Sequence, residues 1–421
     1  MESLAIVGTG IAGLGCAHFL RHRYALTLYE QAAHIGGHAN TVMVEDEAGS
    51  VPIDTGFLTY NEITYPLLTR LFNELNVATQ ASCMSFSVQH VPSGLEFCGS
   101  GLNHLFGQRR NLLRSSFWRM LLTINRFNRE ALACLNSSRH ELQTVDEFLR
   151  ERNYGASFRD YYLMPMSCAV WSAPPERMLH FPATTLLRFF HNHGFLGLRT
   201  QHPWRSVDGG ARRYVEKLSA PFREHIHLRR GVRAVQREHD GVSVTDEAGH
   251  RAHYDRVILA CHADQALGML LDADAMERTL LGEFKYHPNI ALLHTDAAVM
   301  PTIARCWSSW NYRMTRRASE GVEASTVYWI NSLQRLPTRE NYFVSINGED
   351  GVRAQKVLQR IRYQHPLFNC GALRAQRELP HLNQRQSKVH FCGSYFRYGF
   401  HEDALQSAFD LSRLLGSDVW N

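Results

Sequence analysis

The sequence predicts an α/β fold assembled from both ends of the chain, with an α+β region inserted between them. Three observations predict it. A strand-like run, Leu4 to Val7, passes directly into the glycine loop Gly8-Thr9-Gly10-Ile11-Ala12-Gly13 and then into a helical run ending near Leu20. A second strand-like run, Ala25 to Tyr29, ends on an acid, Glu30, and is followed by Gly36-Gly37. At the far end, Val389 to Phe391 leads into Gly393-Ser394. Apolar residues at 405, 408, 409, 411, 414 and 415 then mark a helix from His401 to Leu415.

The first βαβ unit carries chemistry. Gly8 permits the tight turn after the strand, Gly10 leaves no side chain where a pyrophosphate must approach the backbone, and Gly13 lets helix and strand pack closely. Free N–H groups at Ile11 and Ala12, with the positive end of the helix dipole, suit a diphosphate. Glu30 stands where a carboxylate holds a ribose hydroxyl. A bare GxGxxG is weak evidence; strand, loop, helix, strand and acid at this spacing specify a dinucleotide site. A signal peptide is the other reading of residues 4–20. It is not expected, because no basic stretch precedes them and glycine recurs at 8, 10, 13 and 15.

The middle of the chain differs. Residues 61 to about 205 show helical periodicity and many aromatics. Strands return from His225 to Leu259, with Val232 to Val235 and Val242 to Val244 alternating around Asp240-Gly241, followed by Val257 to Ala260. Residues 280–345 mix strands and aromatics, including Val327 to Ile330. No run of about twenty apolar residues occurs, so no transmembrane helix is expected. The nine cysteines are odd in number and form no CxxC pair, which points to reduced thiols in a cytoplasmic protein, without a disulfide framework or zinc site. The formal charge of +5 is modest, but its distribution is not even. Arginines at 109, 110, 114, 119, 126, 129 and 139 face a single acid, Glu130, and alternate with Leu112, Leu113, Phe117, Trp118, Leu121, Leu122, Ile124 and Phe127. Residues 105–139 therefore read as basic amphipathic helix, either an ordinary helix with a solvated arginine face or one lying on an anionic membrane surface. With no basic tail and no nucleic-acid module, nucleic acid is not an expected partner.

Glu30 followed after five residues by Gly36-Gly37 resembles the FAD-binding flavin amine oxidase and phytoene desaturase superfamily. Members often carry arginine after the paired glycines, where this chain has His38. The resemblance implies a discontinuous Rossmann-like FAD-binding domain, 1–60, 205–280 and 385–421, and an inserted α+β substrate domain, 61–204 and 281–384. It implies that Gly37, His38, Thr55, Gly56 and Phe57 contact FAD, that Val232 meets the adenine, and that Gly393 and Ser394 lie by the pyrophosphate and ribityl chain. Phe400, His401 and Glu402 would then face the flavin pyrimidine edge. Ser394 stands where the superfamily usually has an acid.

Further stretches resemble one subgroup: Asp54 to Phe57, Tyr60 to Glu62 with Thr64 to Pro66, Met84 to Ser87, Trp171-Ser172, Arg188 to His193, Pro203-Trp204 with Asp208 to Gly210, and Gly399 to Asp403. They are similar to the oxidase-like domain at the N-terminus of plant cyclopropane fatty acid synthases. They also resemble bacterial relatives that include a desaturase of methyl-branched acyl chains in furan fatty acid synthesis. That implies a long-chain acyl lipid substrate, docking of the basic segment on the inner face of a membrane, and a lipid methyltransferase as an expected partner. Fold and subgroup do not fix a reaction, so flavin amine oxidase and redox-neutral acyl double-bond isomerase stand as alternatives.

A flavin accepts a hydride from a weak C–H bond if the protein orients that bond and manages the proton. His191, His193 and His401 are the candidate bases, His401 first because its helix start would face the cofactor. Glu402 and Tyr395 complete the expected catalytic set; Tyr398, Trp204 and Phe57 are candidates for the flavin face. Residues 401–403 resemble a metal triplet, but adjacent helical residues point in three directions, so no metal is expected. Only one GxGxxG occurs, so electrons must leave to oxygen, a quinone or a separate reductase rather than to a second nucleotide bound by this chain.

Overall fold

The computed structural model describes residues 1–47, 49–136, 142–197, 200–316, 322–384 and 387–420. Arg139 of the basic segment lies outside them. The strand Ser3–Val7 is the centre of a five-stranded sheet. Arg256–Leu259 and then Val389–Phe391 lie on one side, Ala25–Tyr29 and Ile226–His227 on the other, and every pairing is parallel. Both faces are covered, which explains the uninterrupted apolar runs. Leu4 and Ile6 pack toward the helix Ile11–Leu20, which is buried all round. Ala5 and Val7 pack on the other face with Val235, Val242 and Val244. Those valines belong to an antiparallel sheet of Val232–Arg237, Val242–Asp246 and Arg251–Tyr254, the alternating runs read from the sequence.

The C-terminal helix, His401–Leu414, lies against Ile11–Leu20. Their approach is close: a Cβ at Gly15 would stand 3.0 Å from Leu405 Cδ1 and 3.3 Å from Ala408 Cβ. Cys16 Sγ and Cys392 Sγ are 3.6 Å apart beside this contact as free thiols.

The inserted region holds a seven-stranded sheet. In spatial order its strands are Val357–Leu367, Lys285–His294, Phe343–Ile346, Val322–Trp329, Trp310–Arg316, Phe86–His90 and Leu95–Cys98. Beside it, the helix Ser115–Leu135 buries Phe117, Met120, Phe127, Ala131 and Cys134. Phe127 is the hub of that layer, ringed by Phe148, Tyr154, Phe158 and Phe190. Among the described residues, no helix is long and apolar enough to cross a membrane.

The two regions interlock more than a boundary list suggests. The limit expected between 204 and 205 falls inside the strand Trp204–Val207, which pairs with Thr79–Ser82. The helix Cys370–Gln384, expected with the inserted part, ends against the parallel sheet: Asn383 exchanges two 2.8 Å hydrogen bonds with the backbone of Phe391. Val51, Ile53 and Leu58, from the first sixty residues, share an apolar cluster with the seven-stranded sheet. Gly15→Val tests the helix contact. Overpacking there is expected to lower unfolding stability by about 1–3 kcal/mol, read from chemical denaturation.

Candidate active site

Four segments converge at the carboxyl ends of the parallel strands, where ligands bind in open α/β sheets. Gly8 follows the first strand with φ +104°, and a Cβ there would lie 2.6 Å from the Ala260 carbonyl oxygen. A Cβ at Gly13 would fall 1.9 Å from the Gly8 oxygen, so the loop closes only with glycine. Gly10 is different: no atom lies within 4 Å of the place its Cβ would occupy. That open side, above a helix start with no capping side chain and no acid in its first turn, fits a diphosphate. Gly37 closes the loop from across, its Cβ position 3.2 Å from the Gly10 Cα, while Gly36 N–H donates to Thr9 O at 2.9 Å.

Glu30 is anchored by a residue that sequence reading passed over. Thr9 donates to one carboxylate oxygen through its N–H (3.0 Å) and its hydroxyl (2.6 Å), and Ala32 N–H donates to the other at 2.8 Å. A carboxylate accepts at about four lone-pair positions, so three donors leave capacity for a ribose hydroxyl. The Glu30 carbonyl accepts from Arg230 N–H at 2.8 Å, which carries the chain to Val232 at the start of its strand. Val232 is thereby held near Glu30.

The other end of the site is aromatic and rich in histidine. Phe57 stacks on His401 with ring centres 4.0 Å apart, and the Tyr214 hydroxyl lies 2.5 Å from His401 Nε2. Burial raises the Tyr214 pKa well above its ordinary value, so the hydroxyl keeps its proton. Burial, with a smaller contribution from His38, lowers His401 to about 3. The imidazole is therefore neutral, with Nε2 bonded to the Tyr214 hydroxyl. His38 stacks with Tyr363 at 4.9 Å and neighbours His365 and His262. Burial lowers His38 to about 4 and His365 to about 3. Where relatives often have an arginine, this chain presents an uncharged ring. His38 Nε2 and His262 Nδ1 are buried without hydrogen-bond partners. Unpaired buried polar atoms are costly, and these two, with the open side of Gly10, are the features that fit a bound dinucleotide. The Thr55 hydroxyl bonds Tyr363 Oη at 2.8 Å and Asn40 O at 3.1 Å, and a Cβ at Gly56 would meet His38 O at 2.2 Å. Thr55 and Gly56 thus shape the loop that holds His38 and Phe57.

Two expected catalytic groups have other tasks in the structure. Both Glu402 oxygens accept from backbone N–H groups, Leu67 at 2.8 Å and Leu68 at 3.0 Å, tying the helix Pro66–Glu74 to the C-terminal helix. Tyr395 is 1% exposed, with Phe284 and Phe396 against its ring and a Cβ position at Gly393 only 2.6 Å from it. Its hydroxyl has no partner, and its surroundings are core. Asp403 accepts from Phe400 N–H at 2.9 Å, and burial raises its pKa to about 7. Residues 401, 402 and 403 thus engage three different neighbours. Gly393 N–H donates to Ser407 Oγ at 2.9 Å, and the Ser394 carbonyl accepts from Arg397 and Gly399 N–H, so this turn is held by serine and backbone where an acid was expected. His193 makes a 3.0 Å bond to Phe189 O, and its ring stacks on that of Phe189. His191 is exposed.

Tyr214, Tyr363, His262 and His365 were missed. Only His262 left a sequence signal, since it lies in the turn after Arg256–Leu259, the strand paired with Ser3–Val7. The open side of Gly10 yields a direct test. Gly10→Val fills it with a branched side chain, so co-purifying flavin is expected to fall by about tenfold or more; a yellow variant with full flavin content would remove the loop from the site.

The family model for flavin containing amine oxidoreductase matches residues 11–300. Among curated proteins, none matches this chain significantly. Solved structures share the fold at low identity. Cyclohexylamine oxidase from Brevibacterium oxydans IH-35A is 15% identical with a TM-score of 0.69, covering 98% of this chain and 99% of that one. Putrescine oxidase bound to putrescine is 14% identical with a TM-score of 0.68, covering 98% of both chains. A CLA-producing fatty acid isomerase from P. acnes is also 14% identical with a TM-score of 0.68, again covering 98% of both. The match over most of the chain, on a site built for a dinucleotide, settles the family: the chain belongs to the flavin-containing amine oxidoreductases and is an FAD-dependent oxidoreductase.

Proposed function

We propose that this flavoenzyme oxidises long-chain fatty acyl lipids, whether unsaturated, methyl-branched or cyclopropane-containing, in a desaturase-like reaction. One observation carries the reading: the wall beside His401 is aromatic, and its acids are already engaged. Phe400 stacks on Phe189 at 4.8 Å, Trp171 lies 5.9 Å from Phe400, and Phe181 is 4.7 Å from Trp171. Glu402 and Asp403, the carboxyls nearest in sequence to His401, accept from backbone N–H groups. An apolar chain meets complementary surface there, whereas a protonated amine meets carboxyls that already have donors. The subgroup motifs Asp54 to Phe57 and Gly399 to Asp403 support the same reading, and a fatty acid isomerase is among the proteins sharing the fold.

Bound FAD would supply hydride acceptance at N5. The chain's own residues do the rest. Gly10, Ile11, Ala12 and Gly13 offer backbone and helix dipole to the diphosphate, and Glu30 offers a lone pair to the ribose. Phe57, Phe189 and Phe400 exclude water. The Tyr214–His401 pair holds one fixed, neutral orientation at the helix start. A second reading, oxidation of small amines, is favoured by the amine oxidases that share the fold. A third is a redox-neutral isomerase.

Anaerobic addition of acyl lipids is expected to bleach the visible flavin bands. Peroxide release with an amine panel, and no bleaching by any acyl lipid, would transfer the assignment to amine oxidation. Product formed with no acceptor consumed would indicate isomerisation. His401→Ala is expected to lower kcat by about tenfold or more while flavin content stays near wild type; loss of flavin with normal turnover per bound flavin would make His401 a cofactor ligand alone.

A further inference from the structure

We propose that the outer face of residues 102–129 docks this protein on an anionic lipid surface. The inference rests on surface geometry and holds whatever the substrate of the flavin site. A surface helix needs one apolar stripe to join a core. Ser115–Leu135 has that stripe, from Phe117 through Phe127 to Cys134, and carries a second one facing outward. Trp118 and Leu122 stand one turn apart on the outer side. Trp118 Nε1–H donates to Leu112 O at 2.9 Å, drawing the Leu112–Leu113 turn beside it, and the Phe106 ring lies 5.3 Å from the Trp118 ring. Leu102, one turn before Phe106, extends the patch. Leu113 is 91% exposed, Leu102 76% and Leu122 69%. Single exposed leucines are ordinary; four leucines and a tryptophan around one helix end are not.

The charges on this face lack partners of opposite sign. Six arginines of the segment lie in the described residues. Among those residues, Arg126 alone has a carboxylate within 4 Å, Glu130 at 3.5 Å, and its guanidinium also covers Tyr154. Arg109 donates to Phe106 O and Asn103, Arg110 to Gly94 O, and Arg114 to Asn111, all neutral acceptors that leave the charge in place. Arg119 is exposed beside Trp118, and Arg129 is exposed about three turns farther along. Protruding leucines and tryptophan need hydrocarbon, and uncompensated guanidinium groups need anions at the same depth. A bilayer with anionic headgroups offers both. A nucleic acid would answer the charge but give leucine tips no counterpart.

The test uses the full-length flavoprotein and phosphatidylcholine vesicles with or without phosphatidylglycerol. Co-sedimentation is expected with phosphatidylglycerol, at least about tenfold weaker without it, and weakened by salt. Leu113→Asp with Leu122→Asp, and separately Arg119→Glu with Arg129→Glu, should each reduce binding about tenfold or more. These side chains are exposed, and an unchanged flavin spectrum confirms that the fold is kept. Absence of wild-type binding, equal binding to neutral vesicles, or wild-type binding by both double variants overturns the proposal. The last result, with loss of a co-purifying protein such as a lipid methyltransferase, would identify the face as a protein interface.

Discussion

The pairing of Arg256–Leu259 with both Ser3–Val7 and Val389–Phe391 is the constraint on which the site depends. Through it, residues nearly four hundred positions apart become neighbours across one central strand. Ala260 N–H donates to Val7 O at 2.9 Å and Cys392 N–H to Leu259 O at 3.2 Å, so the turns after all three strands leave the sheet at one level. Gly8, Ala260 and Cys392 are then the first residues beyond that edge. The C-terminal helix has to return over the first helix, and Gly15 makes the approach possible. The glycine loop and the C-terminal helix are thus set relative to each other by backbone hydrogen bonds and one close helix contact.

That geometry has an electrostatic consequence. The acids around the site are each held by donors: Glu30 by Thr9 and Ala32, Asp54 by Thr41, Ala211 and Gln334, Glu402 by Leu67 and Leu68, and Asp403 by Phe400. The histidines are uncharged because burial lowers their pKa values. Unpaired charge in such an interior would cost several kcal/mol, and the chain avoids it with neutral rings and backbone amides. The result is a site whose histidines are neutral and whose acids are each met by hydrogen-bond donors.

Legibility in the sequence followed distance along the chain. Gly8 to Gly13, Glu30 and Gly36-Gly37 fall within one βαβ unit, where spacing alone dictates geometry. Gly393 and the helix at His401 repeat a strand-to-turn-to-helix signal and were equally readable. Tyr214 lies 187 residues from the His401 it touches, and Tyr363 lies 308 from Thr55; such contacts leave no local pattern. Glu402 and Tyr395 sit differently from what their place in the sequence suggests. Adjacency to a promising residue says little on a helix, where successive side chains diverge by about 100°, and the turn at Gly393 folds Tyr395 back into the core. The amphipathic character of 115–135 was evident from its period, but not that it carries two apolar stripes, because only packing shows which one the core takes.

The helix Ser115–Leu135 also links the molecular surface to the site by a short rigid route. Its Phe127 packs on Phe190 of the helix Ala183–Asn192, and the preceding residue, Phe189, stacks on Phe400, which precedes the C-terminal helix. Each step is an aromatic contact between buried or half-buried side chains on regular helices, which leaves little room for hinge motion. The outward stripe of Trp118 and Leu122 therefore has a fixed direction relative to His401. The proposed docking at that stripe would therefore set how a substrate approaches the flavin site as well as where the enzyme resides.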